Sequence, residues 1–552
     1  MFHILAADEL AAEGLQLIRS QPDAVVESRP GLSEEELGAI VGDYDGLIVR
    51  SGAKVTAAVL AHPGRLKVIA RAGVGVDNID LDAATAAGIL VLNAAEASTI
   101  TTAEHTMALM LAAARYIGPA YESMCQGHWN RTAFHGRQLA GKTLGIVGFG
   151  RIGQAIARRA LAFEMTVCAY DPFINASTIL EGLVRMYADF EDLLPNADVL
   201  TFHVPLNDQT RRMLDAERLT RCRDGVLIIN ASRGGVVDEE ALLPAIASGK
   251  ISAVGLDVFQ SEPLSRQSPL RGHQRILLTP HLGASTVEAQ QAISTGAAAA
   301  MLDYLRGHGL RGAVNVGDLR LDLDPLQACF GDLANRMARL INPMISAGIT
   351  GVTLEVCSRQ LWTVASTLER MSLVGLLQAH LDVPLNLINV THIAEQRGIA
   401  QRTITSDVAS HDAPQLILEV AAAGRRDNRL HRIVGRVYDD RRPRIVEING
   451  YHMDMIPDGC MVLIQNDDQP GMVGLVGIEF GQAQINIADM AISRRDRSAL
   501  MVLKVDAEPP DELLERLGRR TGIRKVAMVK LVQPVASAPT GRHLADLDRR
   551  SG

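Results

Sequence analysis

At 552 residues, with 47% hydrophobic and 21% charged side chains, the chain has a globular composition and is too long for one core; about 150 residues per domain predicts three or four domains. A formal charge of -8 argues against non-specific nucleic-acid binding, and no apolar run reaches the ~18 residues of a membrane span. Cys125, Cys168, Cys222, Cys329, Cys357 and Cys460 are widely spaced and form no CxxC or metal-ligand pair, which fits a reducing compartment and predicts no metal site.

Asp8 and Glu9 interrupt any signal-peptide core at the N-terminus, so a cytoplasmic location is expected. Residues 1 to 97 then alternate near-continuous apolar runs with helical segments. His3 to Ala6, Leu47 to Val49, Val68 to Ala70 and Leu90 to Leu92 read as parallel strands buried on both faces. Their ends carry Arg50-Ser51-Gly52 and Arg71-Ala72-Gly73-Val74-Gly75-Val76-Asp77, where an open α/β sheet binds its ligand. Ser98 to Arg115 predicts a strong helix, with Ser98, Thr99 or Thr101 as its cap, crossing from this unit to the next. His105 within it reads as a packed or capped histidine rather than a catalytic one.

The stretch Gly141 to Asp171 carries the dinucleotide fingerprint. A strand leads through Gly148-Phe149-Gly150-Arg151-Ile152-Gly153 into a helix, and a second strand ends at an acid about 20 residues further on, Asp171. Gly148 allows the turn, Gly150 lets the backbone approach a pyrophosphate, and Gly153 lets the helix lie on the strand. The helix N-terminus offers unpaired N–H groups to the phosphates. Asp171 suits the ribose hydroxyls and would repel a 2′-phosphate, while Pro172-Phe173-Ile174 supplies no cation, so NAD rather than NADP is expected.

Further buried-strand signals at Val199 to Phe202, Val226 to Ile229, Ala253 to Leu256 and Ile276 to Leu278 bring the count to six, the number of a doubly wound dinucleotide domain. The helix Thr286 to Arg306 returns to the first lobe. Arg233, Glu262 and His281 all follow strands of one sheet. An imidazole takes a hydroxyl proton as hydride leaves, an acid on its other nitrogen orients it, and a guanidinium fork holds a carboxylate.

The blocks HVPLNDQTRRML, NASRGGVVDEEAL, GLDVFQSEP and TPHLGAST, in this order, resemble the signature of the D-isomer-specific 2-hydroxyacid dehydrogenase family over residues 1 to about 316. The resemblance implies that Arg233, Glu262 and His281 are catalytic. It implies NAD contacts at Gly148, Gly150, Arg151, Ile152, Gly153, Asp171, His203, Pro205, Thr210, Ala231, Ser232, Asp257 and Gly283. Ala95 and Gln138 depart from the family's usual proline and glutamate, away from the chemistry.

Residues 317 to 454 mix strand and helix signals, and 455 to 536 read as a βαββαβ unit with a turn at Asn466, Asp468, Pro470 and Gly471. That unit resembles an ACT regulatory domain, a ferredoxin-like module that binds amino acids between paired copies; the family's ligand contacts fall on Asn466, Asp468 and Asn486. PLNLINVTHIAEQRGI and PRIVEINGYHMDMIPDG resemble the intervening domain of long-form D-3-phosphoglycerate dehydrogenases, with Val390 where alanine is usual. The expected architecture is therefore two doubly wound α/β lobes, then an α+β intervening domain and the ACT domain. The flavodoxin-like substrate lobe takes 1–97 and 284–316, and the Rossmann lobe 98–283. The intervening domain takes 317–454 and the ACT domain 455–536, and the polar tail 537–552 is expected to be disordered.

The resemblance implies oxidation of 3-phospho-D-glycerate with NAD and L-serine as effector. The substrate contacts expected on the cleft loops are Arg50, Ser51, Arg71, Gly73, Val74 and Arg131, with the arginines serving the phosphate. Tyr121 to Arg131, with Trp129, resembles the arm through which such dehydrogenases dimerise, so a dimer or tetramer is expected. Two other readings stay open at this point. One is a glyoxylate, hydroxypyruvate or D-lactate type dehydrogenase, and the other a non-catalytic NAD-sensing protein.

Overall fold

The computed structural model describes residues 1–174, 179–345, 347–381, 384–407, 414–423 and 429–531. The polar tail 537–552 lies outside them. The chain separates into two compact units, residues 1–79 with 91–305, and residues 80–90 with those from Arg306 onward. No described helix is long and apolar enough to cross a membrane.

The first unit holds two sheets. Strands β1 (Phe2–Ala6), β2 (Ala24–Ser28), β3 (Gly46–Val49), β4 (Val68–Arg71) and β5 (Leu90–Asn93) lie in the order β2-β1-β3-β4-β5, the flavodoxin-like order. The second sheet contains β6 (Thr143–Val147), β7 (Thr166–Tyr170), β8 (Val184–Tyr187), β9 (Val199–Phe202), β10 (Val226–Asn230), β11 (Ile251–Leu256) and β12 (Ile276–Leu278). Its order is β12-β11-β10-β9-β6-β7-β8, with every pairing parallel. It has seven strands where the apolar runs predicted six. Both strands that the pattern missed, β2 and β8, are edge strands with several partly or fully exposed residues, so neither needs a continuous apolar run.

Apolar side chains fill both faces of the seven-stranded sheet. The helix Thr99–Ala114 packs Ala103, Met107 and Met110 into the same core as Ile146 and Ile229. Ser98 stands at its N-cap position, yet its hydroxyl makes no capping bond and is buried without a partner. The helix Val287–Leu305 returns to the first lobe as expected: the Ala11 N–H donates to Ser294 Oγ at 3.2 Å, and a Cβ on Gly46 would strike the Met301 sulfur.

The second unit has a six-stranded sheet of β13 (Ile349–Cys357), β14 (Ala400–Thr405), β15 (Gln415–Ala422), β16 (Arg429–Val437), β17 (Pro443–Ile448) and β18 (Tyr451–Met455). The order is β14-β13-β15-β16-β17-β18, antiparallel except for β13 with β14. A four-stranded antiparallel sheet follows, made of β19 (Gly459–Asp467), β20 (Ile487–Arg495), β21 (Ser498–Val505) and β22 (Ile523–Leu531) in the ferredoxin-like order β20-β21-β19-β22. Alternate residues of its central strands enter different cores. Val462, Ile464, Met501 and Leu503 pack under the helices Met472–Gln482 and Asp511–Gly518, whereas Met461, Leu463, Leu500 and Val502 join the core of the six-stranded sheet. Burial on both faces explains the unbroken apolar runs Met461-Val462-Leu463-Ile464 and Leu500-Met501-Val502-Leu503 in the sequence.

Candidate active site

The nucleotide end of the site is built by backbone. Gly148 has φ +93°, and a Cβ there would lie 2.4 Å from the His203 carbonyl oxygen. A Cβ on Gly153 would lie 2.3 Å from the Gly148 carbonyl oxygen, so both glycines are required by close approach. Gly150 opens onto free space at the start of the helix Arg151–Ala162. Asp171, just past β7, accepts the Phe149 N–H at 2.8 Å and the Phe173 N–H at 2.9 Å, which braces the glycine turn. Ile152 packs on the sheet's core, and Arg151 pairs with Glu96 at 3.0 Å. His203 sits 2.8 Å from Thr201 Oγ, and burial pushes it down to about 3, which keeps the ring neutral. Thr210 donates to the Pro205 carbonyl at 2.6 Å, and the Ser232 hydroxyl beside buried Ala231 donates to Asn230 Oδ1 at 2.9 Å.

The neighbouring strands β10, β11 and β12 are followed by Arg233, Glu262 and His281. His281 follows β12, and its Nδ1 lies 2.8 Å from Glu262 Oε2. The other oxygen of Glu262 accepts the Phe259 N–H at 3.0 Å. A Cβ on Gly234 would come within 1.8 Å of the Phe259 carbonyl oxygen, so the first glycine after Asn-Ala-Ser-Arg lets that loop nest against the loop of Glu262. Asp257, after β11, is fully buried and accepts hydrogen bonds from Thr279 (2.7 Å), the Leu282 N–H (2.7 Å) and the Gly283 N–H (2.8 Å). Its Oδ1 also lies 3.1 Å from His105 Nε2. Burial pushes the Asp257 carboxyl up, but hydrogen bonds from His105, Thr279 and Leu282 outweigh this and hold it below its ordinary value. His105 is thus a packed, paired residue, as its place on the helix suggested. Asp257 fixes the backbone around His281 and Gly283 from beneath.

Arg233 follows β10, Arg50 directly follows β3 and Arg71 ends β4. Burial, then the positive charges of Arg233 and Arg50, push Arg71 down to about 10, with Asp77 and Asp8 opposing. Arg71 Nε is buried without a partner, and a Cβ on Gly73 would fall on its guanidinium. Arg50 donates to the Glu9 carbonyl at 3.1 Å and to Gln290. Beyond Arg50, Ser51 is exposed, and the Val74 carbonyl accepts from Asn93 at 2.8 Å. Three guanidinium groups and two carboxylates therefore share one edge of the cleft.

Arg131 does not join them. It is exposed in the short turn Arg131–Ala133, and among the described residues no ion pair involves it. The sequence reading passed over Asp8, which accepts the Arg50 N–H at 2.6 Å and the Ala53 N–H at 3.1 Å. Gln290 and Glu239, whose carboxylate accepts the Gln260 N–H, were likewise not singled out, and Asp77, placed on the ligand-side loop, was given no role although it lies 3.0 Å from Arg233. Asp8 sits just past β1 and Asp77 in the loop after β4, both at the edge marked as the ligand side, but which arginine each meets is set only by the packing of the strands. At the C-terminal module, Asn466 is buried with Oδ1 unpartnered, and Asp468 lies 3.4 Å from Arg494. Asn486, however, pairs with Asp506 at 2.8 Å. Asn466 is opposite Ala499 and Ile487 opposite Val505, so Asn486 stands about 20 Å from Asn466 at ~3.3 Å per residue. One copy does not bring the three together.

A parallel nucleotide sheet with a glycine turn, an acid-backed imidazole and an arginine-lined second lobe defines a two-lobed, NAD-dependent oxidoreductase. Residues 107–283 match the NAD-binding domain of the D-isomer specific 2-hydroxyacid dehydrogenases, and residues 328–449 match the D-3-phosphoglycerate dehydrogenase intervening domain. The D-3-phosphoglycerate dehydrogenase of Methanocaldococcus jannaschii is 37% identical over 533 residues, covering 96% of this chain and 100% of that protein. That of Bacillus subtilis is 35% identical over 536 residues, covering 96% and 99%. A solved glyoxylate reductase from Paecilomyes thermophila superposes with a TM-score of 0.53 at 29% identity, over 57% of this chain and 98% of its own. The chain belongs to the D-3-phosphoglycerate dehydrogenase branch of the D-isomer-specific 2-hydroxyacid dehydrogenase family, and its cofactor is NAD.

Proposed function

We propose that the chain oxidises 3-phospho-D-glycerate to 3-phosphohydroxypyruvate, the entry to L-serine synthesis. The observation that carries the choice of substrate is the clustering of Arg50, Arg71 and Arg233 on one cleft edge, since the substrate bears both a carboxylate and a phosphate. Arg233 takes the carboxylate, and Arg50 and Arg71 take the phosphate. His281 accepts the hydroxyl proton at Nε2, while Glu262 holds Nδ1 and stabilises the imidazolium that results. Bound NAD supplies the hydride acceptor. The glycine turn and the first N–H groups of the helix Arg151–Ala162 receive its pyrophosphate, and Asp171 its ribose.

The C-terminal module acts as an ACT domain with L-serine as effector. Because Asn486 is remote from Asn466 and Asp468 within one copy, an effector touching all three bridges two copies. The exposed arm around Tyr121 and Trp129 fits a homo-oligomer, a dimer or a tetramer. All six cysteines are free, in keeping with a cytoplasmic setting. The test is NADH formation from 3-phosphoglycerate with and without L-serine. Turnover that serine depresses supports both parts, and turnover indifferent to serine removes the effector role. Turnover of glyoxylate or hydroxypyruvate alone assigns a reductase, and no turnover of any 2-hydroxy acid assigns a sensor.

A further inference from the structure

Arg233, read above as the carboxylate anchor, belongs to the nucleotide lobe, but its guanidinium is held from the other lobe. Its Nε lies 3.0 Å from Asp77 Oδ2, its Nη1 donates to the Ser232 carbonyl at 2.7 Å, and its backbone carbonyl accepts from Asn230 Nδ2 at 2.9 Å. The remaining nitrogen, Nη2, lies over Gly75, where a Cβ would come within 1.8 Å of it. Gly75 is not among the positive-φ glycines, and a Cβ there would also lie 2.7 Å from Asp77 Oδ2, so the missing side chain makes room for both members of the Arg233–Asp77 pair.

We propose that Asp77 is a positioning residue for the reaction, and that with Gly75 it fixes which edge of the Arg233 fork meets a substrate's 2-carboxylate. Asp77 and Ser232 occupy Nε and Nη1, leaving Nη2 over Gly75. A carboxylate docks there only when the loop that follows β4 is seated against the nucleotide lobe. Carboxylate recognition is thereby tied to the relative placement of the two lobes. The Asp77 side chain is 69% exposed, and an ion pair so open to water adds little stability, so its role is orientation. The inference rests on the reading of Arg233 as the carboxylate anchor.

The test is steady-state kinetics of the full-length Asp77→Ala, Asp77→Asn and Gly75→Ala proteins, with NADH affinity followed by fluorescence and melting followed in parallel. Asp77→Ala and Gly75→Ala are expected to raise KM for 3-phosphoglycerate, and the inhibition constant of oxalate, about tenfold, since a displaced contact of 1 Å costs up to ~10²-fold. Asp77→Asn, which keeps an acceptor oxygen, loses less. NADH affinity and melting temperature stay at the wild-type values. In an Arg233→Lys background, Asp77→Ala adds less than about twofold, because the two residues act as one unit. Wild-type kinetics in Asp77→Ala, additive losses in the double variant, or an equal loss of NADH affinity would each overturn the proposal. If the wild type turns over D-glycerate but not 3-phosphoglycerate, the choice of substrate fails while the same comparison on D-glycerate and oxalate still decides the role of Asp77.

Discussion

Glu262 reaches His281 at 2.8 Å across two separate loops, and its second carboxylate oxygen is tied to the backbone N–H of Phe259. The acid is therefore fixed in its own loop as it holds the imidazole at Nδ1, and Nε2 is the edge proposed to meet the substrate. Replacing the base by His281→Ala is expected to lower kcat about 10²- to 10⁴-fold, the usual worth of a positioned base. Glu262→Gln, which keeps the shape but loses the charge facing the imidazolium, should cost less, about 10²-fold. NADH titration of both variants checks the reading: affinity should be unchanged, and a parallel loss would mean that the loop and not the base had been damaged.

Much of this site was legible in the chain, for reasons that differ by residue. Gly148, Gly153 and Asp171 could be placed because a phosphate turn demands them at fixed intervals on a strand-turn-helix. Arg233, Glu262 and His281 could be grouped because strand ends of one parallel sheet meet at one edge. β2 and β8 were hidden because edge strands are half solvated. Asp77 and Asp8 were missed because their meaning depends on which arginine the other strands bring within reach. The separation of Asn486 from Asn466 depends on strand order, since β21 lies between β20 and β19, and no local pattern encodes that.

Arg71 carries a stability cost that a phosphate would relieve. Its Nε is buried without a partner, and burial with the charges of Arg233 and Arg50 depresses it to about 10, so at neutral pH it remains charged in an unfavourable place. Arg71→Met is expected to raise the melting temperature while raising KM for 3-phosphoglycerate about 10- to 100-fold, the worth of a charge-assisted hydrogen bond. KM for D-glycerate should change much less. Arg50→Ala should show the same preference for loss on the phosphorylated substrate, without the gain in stability, because Arg50 is already bonded to Glu9 and Gln290. Equal losses on both substrates would remove these arginines from the phosphate site.

Asp171, proposed above to receive the ribose, also braces the turn through the Phe149 N–H. Asp171→Asn keeps an acceptor oxygen for that brace and removes the charge that repels a 2′-phosphate. It should weaken NAD about tenfold and narrow the preference over NADP by a larger factor, since a net charge repulsion disappears as well. The ratio of kcat/KM values for the two cofactors measures this. An unchanged ratio would mean that shape, not charge, excludes NADP.

In the C-terminal module the buried Glu479 receives both Arg516 and Arg520 from the facing helix region, and these hydrogen bonds hold its carboxyl below the ordinary value of 4.5. A carboxyl with a depressed folded pKa binds its proton less readily folded than unfolded. Its contribution to stability is therefore fully present above the unfolded value and disappears as pH falls through the folded one. The pairing of the helix Met472–Gln482 with the helix Asp511–Gly518 should weaken below about pH 4.5, where protonation begins to remove the charge that both arginines share. Glu479→Gln should lower stability at pH 7 and flatten the acid limb of the melting profile, because the variant has no such proton to take up. Melting of wild type and variant between pH 3 and 7 tests this: the two curves should converge as pH falls, and a constant offset across the range would show that Glu479 contributes packing alone.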